Sequence, residues 1–325
     1  MTVDQALLQP HAGQAEAVCA CRLLVKIADS SRDRAGQLAA HLSVHRRWTA
    51  LLSLLTWAFW RQADPHIAGC PHAPWHLPVS LMVIPAAACC SVGCAVRRQL
   101  SGRAEALLLA VRLLDRMAGA APGLVGSQPW VFGAVTRAVQ QSVADGDSEL
   151  ASAGFRLLAG LSRDVANVRR MLEAPGDGPF IHSLLPAVAA ALDPIGLLRF
   201  RMAARPVPVL ALEVLEHIAE ASPALASFEG VMAPLLCLLD GRKTPPATPV
   251  LLRRGLKMGA TRVLRALLHR AHGPTVLDRL LNALDGEEAV PGGGPSRLDL
   301  LAPRLWALSD RRPPAAVRAP PLPPH

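Results

Sequence analysis

The sequence predicts an all-α protein built from stacked helical repeats, and three observations carry that prediction. The chain has 325 residues, of which 51% are hydrophobic and 18% charged, so most of it should fold. Ala and Leu dominate and both favour helix, whereas aromatic residues make up only 4% and Tyr is absent. A short helical sequence also recurs along the chain, which is typical of a repeat architecture.

The recurring element is a heptapeptide with apolar residues at its second, third and sixth positions and a small or apolar residue at its seventh. These positions fall on one face of a helix with about 3.6 residues per turn. The copies start 90, 44, 57 and 49 residues apart, and the first interval is close to two repeats of about 45 residues. The five copies are Arg22-Leu-Leu-Val-Lys-Ile-Ala28, Arg112-Leu-Leu-Asp-Arg-Met-Ala118, Arg156-Leu-Leu-Ala-Gly-Leu-Ser162, Glu213-Val-Leu-Glu-His-Ile-Ala219 and Arg262-Val-Leu-Arg-Ala-Leu-Leu268.

A second helix is predicted after each heptapeptide. Leu235-Leu-Cys-Leu-Leu-Asp-Gly241 and Leu280-Leu-Asn-Ala-Leu-Asp-Gly286 match almost residue for residue and lie 45 residues apart. Residues 51–55 and 184–185 occupy the equivalent place in other repeats. The closing Asp-Gly favours a helix end, because Gly adopts the left-handed conformation without steric cost. Loops rich in Pro and Gly are expected at 174–179, 204–208 and 244–249.

The stretch from Ser148 to Asp193 resembles the armadillo superfamily. Residues 149–162 form an Ala-rich helix with a leucine pair, and an Asn-containing turn at 165–173 leads into the next helix. The resemblance covers roughly 12–57 and 103–286 and implies a right-handed α-solenoid of armadillo- or HEAT-like repeats. Peptide-binding armadillo proteins carry a ladder of Asn and Trp, whereas this chain has only Asn167 and Asn282. Binding of an extended basic peptide is therefore not expected.

Composition divides the chain into four predicted segments. An N-terminal helical repeat spans 1–64, armadillo-like repeats span 101–290, and a flexible tail rich in Pro and Arg spans 291–325. Between them, 65–100 contains Pro, Cys and His and has no charged residue from 65 to 96. Residues 77–96 form an uncharged stretch of sufficient length to cross a bilayer as a helix. Pro85 in the middle and the missing repeat favour a degenerate buried repeat or loop, so a membrane span is not expected.

Four potential zinc ligands lie within eleven residues of that segment: His66, Cys70, His72 and His76. Their spacing matches no standard zinc finger, and a proline-broken loop with incidental histidines is the favoured interpretation. We therefore expect no metal and no cofactor.

The net charge of +9 permits an acidic partner. Only Lys26, Lys243 and Lys257 are lysines, so 31 of the 34 basic residues are Arg, which together with the absence of Tyr indicates GC-rich codon usage. The arginines form scattered pairs rather than one run. Seven Cys in no regular framework and an N-terminus unlike a signal peptide predict a cytosolic or nuclear protein.

No motif for a phosphate loop, a nucleophile elbow, a zinc protease or a dinucleotide fold occurs. Glu213, Glu216 and Glu220 fall on one helical side and are expected to be a solvated face. The single histidines are expected to be surface or satisfied core residues rather than acids or bases: His182, His217, His269 and His272. We therefore expect a non-enzymatic scaffold that binds a protein on its concave surface, with no small-molecule substrate. The alternative is a protein of a chromatin or RNA complex that binds nucleic acid through an arginine-rich face. Candidate partner-binding residues are Trp48, Trp130, Trp306, Arg169, Arg170, Arg253 and Arg254.

Overall fold

The structure is a computed structural model, and it describes most of the chain. The described residues are 14–44, 89–128, 130–173, 180–200, 206–222, 225, 229–241, 244–269, 273–285 and 296–309. Their regular structure is helical, and no strand occurs among them. The predicted all-α class is confirmed.

Fourteen α-helices lie within those ranges. They are α1 (Gln14–Ser30), α2 (Arg32–Val44), α3 (Cys89–Ala120), α4 (Pro122–Gly126), α5 (Val131–Asp145), α6 (Ser148–Ser162), α7 (Val165–Glu173), α8 (Phe180–Leu192), α9 (Pro194–Arg199), α10 (Val207–Ala221), α11 (Glu229–Asp240), α12 (Val250–Leu268), α13 (Gly273–Asp285) and α14 (Arg297–Leu308). The chain forms two compact units, Met1–Ala138 and Val139–His325.

The first unit is centred on α3, which packs against α1 and α2. Two ion pairs join α1 to α3: Arg22 with Glu105, and Arg116 Nε with Asp29 Oδ1 at 2.5 Å. The heptapeptide of α3 is buried at its predicted positions, each at most 1% exposed. In α1, however, Leu23 is 47% exposed.

Leu23 is exposed because the face that α1 buries is narrower than the face that the heptapeptide predicts. The buried stripe of α1 is Val18, Cys21, Leu24 and Ala28, with spacings of three, three and four residues. Leu23 and Ile27 lie one position to the side and are both exposed. The predicted buried face therefore holds for α3 and only in part for α1.

α3 begins inside the uncharged segment of the sequence. It runs without a break from Cys89 through residue 100, where a segment boundary was predicted, to Ala120. None of the helices described here has both the length and the apolar character needed to cross a membrane. Part of the stretch considered above as a membrane span, residues 77–88, lies outside the described residues. The predicted boundaries at 64 and 290 also lie outside them.

The second unit contains two series of helices that pack in chain order. In the heptapeptide series, α6 packs on α10 and α10 packs on α12. In the second series, α8 packs on α11 and α11 packs on α14. The series contact each other through α8 and α10, α11 and α12, and α12 and α14.

The apolar positions of the heptapeptides form the core between these helices. The buried side chains are Leu157, Leu158, Leu161, Val214, Leu215, Ile218, Val263, Leu264, Leu267 and Leu268, each at most 2% exposed. α12 approaches α10 closely because Gly259 lacks a side chain. A Cβ at that position would lie 2.9 Å from Leu212 Cδ1 and 3.1 Å from its Cβ. The predicted burial is confirmed for these three helices.

The ends of the helices follow from capping groups. Asp147 begins α6 by accepting from the backbone N–H groups of Glu149 and Leu150 at 3.1 and 3.0 Å. Ser296 and Asp299 form a reciprocal capping box at the start of α14. α11 ends as predicted, because Gly241 has a φ of 74° and its N–H donates to the carbonyl of Cys237. Gly286, the matching glycine after α13, lies outside the described residues.

Candidate functional site

A charged groove crosses the solvent side of the heptapeptide series. It is lined mainly by Arg163, which follows α6, by Glu213, Glu216, His217 and Glu220 of α10, and by Arg262 of α12. Its volume is about 480 Å³, and it is open to solvent. These residues line one groove because α10 lies between α6 and α12. We call this set of six residues the charged groove.

Two ion pairs connect the three helices within the charged groove. Arg163 Nη2 lies 2.7 Å from Glu213 Oε1, and Arg262 Nε lies 3.0 Å from Glu216 Oε2. The glutamate side chains are only 24% and 19% exposed, whereas both arginines are more than half exposed. Pairs with one solvated partner contribute up to about 1 kcal/mol each. The apolar core between the helices therefore contributes more to their packing than these pairs do.

Glu216 lies partly buried in the middle of the charged groove. Burial raises the pKa of its carboxyl group above the ordinary value of 4.5. The positive charge of Arg262 opposes that rise, and Glu220 adds to it by repulsion. The ionised form of Glu216 is therefore disfavoured by burial and favoured by its ion pair with Arg262.

Ser162 and His217 form a second link between α6 and α10. Ser162 Oγ donates to the carbonyl of Ala159 at 3.1 Å and lies 2.9 Å from His217 Nδ1. Which of the two groups donates in this contact depends on the tautomer of the imidazole. Ser162 is only 3% exposed, so a substrate has no access to its hydroxyl in this conformation. The contact links the end of α6 to α10.

The residues predicted to bind a partner are distributed over several helices. Trp130 precedes α5 and Trp306 lies in α14, and both are half-buried. Arg169 and Arg170 lie exposed in α7, and Arg253 and Arg254 lie exposed near the start of α12. Trp48 lies outside the described residues, as do the zinc candidates His66, Cys70, His72 and His76.

The members of the arginine pairs differ in what holds them. Arg170 Nη1 donates to Asn167 Oδ1 at 3.2 Å, and Arg253 Nη2 donates to the carbonyl of Pro246 at 3.3 Å. Arg169 and Arg254 have no hydrogen bond or ion pair to another described residue. Arg169 and Arg254 are therefore the members of these pairs that are free to contact a partner.

Sequence reasoning missed the groove and an exposed face of α12. Three glutamates on one helical side were expected to be solvated, and local patterns do not identify the arginines that pair with two of them from 50 and 46 residues away. On α12, Val250, Leu251 and Met258 are 77%, 83% and 53% exposed. The hydrophobic periodicity of the sequence did not identify these three residues as exposed or as a binding site.

His, Cys, Asp and Glu side chains form no group of three or more that could hold a metal ion in the described ranges. A scan against protein-family models found no match to this chain, and a search of curated proteins found none either. The all-helical structure is compatible with a helical-repeat protein. The packing of α6, α10 and α12 and the exposed side chains of these helices are therefore the features that bear on function.

Proposed function

We propose that the chain is a non-enzymatic interaction protein, a right-handed armadillo- or HEAT-like α-solenoid that binds a protein partner through the solvent face of α6, α10 and α12. It acts as a subunit or adaptor of a larger assembly in the cytoplasm or nucleus. It uses no cofactor or small-molecule substrate in this role.

The observation that supports the proposal is the packing of two helix series in chain order. Each heptapeptide helix of the second unit packs on the next one, and so does each helix of the second series. Repeat proteins bury their core between successive units in this manner and leave a continuous face for binding. The charged groove lies on that face, and its residues come from three successive helices of the series.

The ion pairs favour a protein partner over nucleic acid. Arg163 and Arg262 are paired with glutamates, and Arg22 and Arg116 are paired with acidic residues in the first unit. Arginines held in this way contribute less to phosphate binding than the net charge of +9 implies. Glutamates also line the groove, and they would repel a phosphate backbone.

Co-purification of the tagged full chain tests the proposal. The chain would be isolated from cells that produce it, with and without nuclease, and bound proteins identified by mass spectrometry. We expect protein partners that survive nuclease and moderate salt. Partners that disappear with nuclease would instead support the nucleic-acid alternative, and a chain that brings down no protein would contradict the proposal.

A groove variant separates specific binding from adhesion. Glu220 is exposed and lies in the groove without an ion pair to the described residues. Glu220→Arg should reduce recovery of a groove-bound partner, because it reverses a charge without breaking either cross-helix pair. Glu173→Arg, at the exposed end of α7, is the matched control and should leave recovery unchanged.

A further inference from the structure

α12 has a charge composition unlike the helix beside it. Its 19 residues include five Lys or Arg and no Asp or Glu. α10 has the reverse composition, with three Glu and no Lys or Arg. The two helices pack together, with Arg262 on Glu216 and Gly259 against Leu212. α12 thus already holds one acidic, apolar helix on one of its sides.

Basic and aliphatic side chains are also exposed elsewhere on α12. Leu251, Arg254, Met258 and Arg265 fall within an arc of about 60°, since a helix turns about 100° per residue. Val250 and Lys257 lie together on one side of this arc, and all six residues are exposed. We call these six residues the outer face of α12.

The cations of the outer face are uncompensated. Arg254, Lys257 and Arg265 make no side-chain hydrogen bond or ion pair with another described residue. The apolar members are among the most exposed large hydrophobic residues in the described parts of the chain. A surface that joins uncompensated positive charge to exposed aliphatic groups is complementary to a segment that joins carboxylates to aliphatic groups.

We propose that the outer face of α12 binds an acidic amphipathic helix of a partner protein, chemically similar to α10. Its aliphatic side chains would cover Leu251 and Met258, and its carboxylates would pair with Arg254, Lys257 and Arg265. The proposal rests on the interaction function above and adds the chemistry of the partner and the place where it binds.

The residue types of α12 favour this occupant over single-stranded nucleic acid. Single strands are bound by cations together with aromatic side chains that stack on the bases. α12 contains no aromatic residue, and its exposed apolar groups are aliphatic. Aliphatic groups between cations suit the apolar stripe of an acidic helix.

Photo-crosslinking tests the proposal on the full chain in the cells that produce it. A benzophenone amino acid replaces Leu251 in one protein and Val165, an exposed residue at the start of α7, in the control. We expect adducts at 251 at least about fivefold above those at 165. The adducts should map to a protein peptide in which Asp and Glu outnumber Lys and Arg and alternate with Leu, Ile, Val or Met.

A charge reversal checks that the adduct depends on this face. Arg254→Glu should lower the adduct yield at 251 at least about fivefold. Arg169→Glu, which reverses an equally unpaired arginine on α7, should leave it unchanged. Equal loss in both variants would overturn the proposal.

Other adducts decide against the proposal. Adducts to RNA, DNA, lipid, a second copy of this chain or a basic peptide would overturn it, and so would a yield at 251 no higher than at 165. If protein partners still co-purify in any of these cases, the interaction function stands and only the outer-face assignment fails. If no protein co-purifies, the interaction function itself fails.

Discussion

Cys19 and Cys21 lie two residues apart on α1 and face opposite environments. Cys19 is exposed, whereas Cys21 is fully buried, and burial raises the pKa of its thiol to about 12. A thiol that stays protonated and inaccessible does not act as a nucleophile. The two neighbouring cysteines should therefore differ strongly in reactivity.

Alkylation with iodoacetamide at about pH 8 checks this difference. In the folded chain we expect labelling of Cys19 at least about tenfold faster than labelling of Cys21. A Cys19→Ser variant isolates the signal of Cys21 within residues 1–22, and denaturation should then restore its labelling. Rapid labelling of Cys21 in the folded variant would contradict the packing of α1.

Glu216 gives the fold a pH dependence of known sign. Its pKa in the folded chain is raised by burial above 4.5, so the folded state binds a proton more tightly than the unfolded state between 4.5 and the raised value. The free energy of unfolding therefore falls as pH rises through that window. The glutamine in the Glu216→Gln variant cannot ionise, so the unfolding free energy of that variant does not fall for this reason.

Urea unfolding of the native chain and of Glu216→Gln measures the effect. The difference in unfolding free energy should shift in favour of the variant between about pH 4 and about pH 7. Arg262→Gln should extend the window to higher pH, because the charge of Arg262 lowers the pKa of Glu216. A difference that is constant with pH would contradict the burial of this carboxyl group.

At the scale of the helix, the contact between α10 and α12 depends on Gly259. A methyl group there would meet Leu212, whereas one at Gly255 of the same helix would have no atom within 4 Å. Overpacking costs about 1 to 3 kcal/mol. The gain from replacing a helical glycine by alanine is about 0.5 to 1 kcal/mol.

Alanine substitutions at these two glycines should therefore have opposite effects. We expect Gly255→Ala to raise the free energy of unfolding by up to about 1 kcal/mol and Gly259→Ala to lower it by about 1 kcal/mol. Chemical denaturation followed by circular dichroism gives both values. An equal rise in both variants would mean that α10 and α12 are not in close contact.

Helix type and the buried positions of the second unit were predictable because they depend on local periodicity. Residues such as Leu215 and Leu264 repeat at helical spacing, and no other element competes for them. Periodicity also predicted α1 as a helix but misplaced Leu23, because the width of a buried stripe depends on the neighbouring helix. The neighbour is set by tertiary packing, which local patterns do not contain.

The second helix series shares a feature that the sequence reasoning overlooked. α8, α11 and α14 each contain a proline inside the helix, at Pro186, Pro234 and Pro303. A proline there removes one backbone hydrogen bond and is normally avoided. The proline recurs in three helices that pack in chain order. This recurrence is recognised only when the helices are aligned by their contacts.

At the scale of the whole molecule, part of the basic charge of the described residues is held in ion pairs. Several arginines are bound to carboxylates, and the charged groove contains three glutamates. The sequence predicted the dispersion of charge but could not predict the pairing, since Arg163 and Glu213 are separated by 50 residues. Pairing at that distance along the chain follows from the packing of α6 on α10.

The nucleic-acid alternative has a direct test at this scale. We expect the purified chain to bind a random-sequence RNA or a DNA duplex more weakly than about 10 µM at physiological salt. Fluorescence anisotropy over a series of salt concentrations measures both affinity and salt slope. Submicromolar binding with a steep slope would reverse the preference for a protein partner.

The packing of helices in chain order bears on how the protein is made. Helices α6, α10 and α12 begin 59 and 43 residues apart, and a ribosome takes roughly 2 to 12 s to add that many residues. Helices form in about a microsecond, so each can dock on its predecessor before the next one leaves the ribosome. During synthesis the most recently docked helix always presents an uncovered flank to the surrounding medium. α12 is the last helix of its series within the described chain, so no later helix of that series covers it among the described residues.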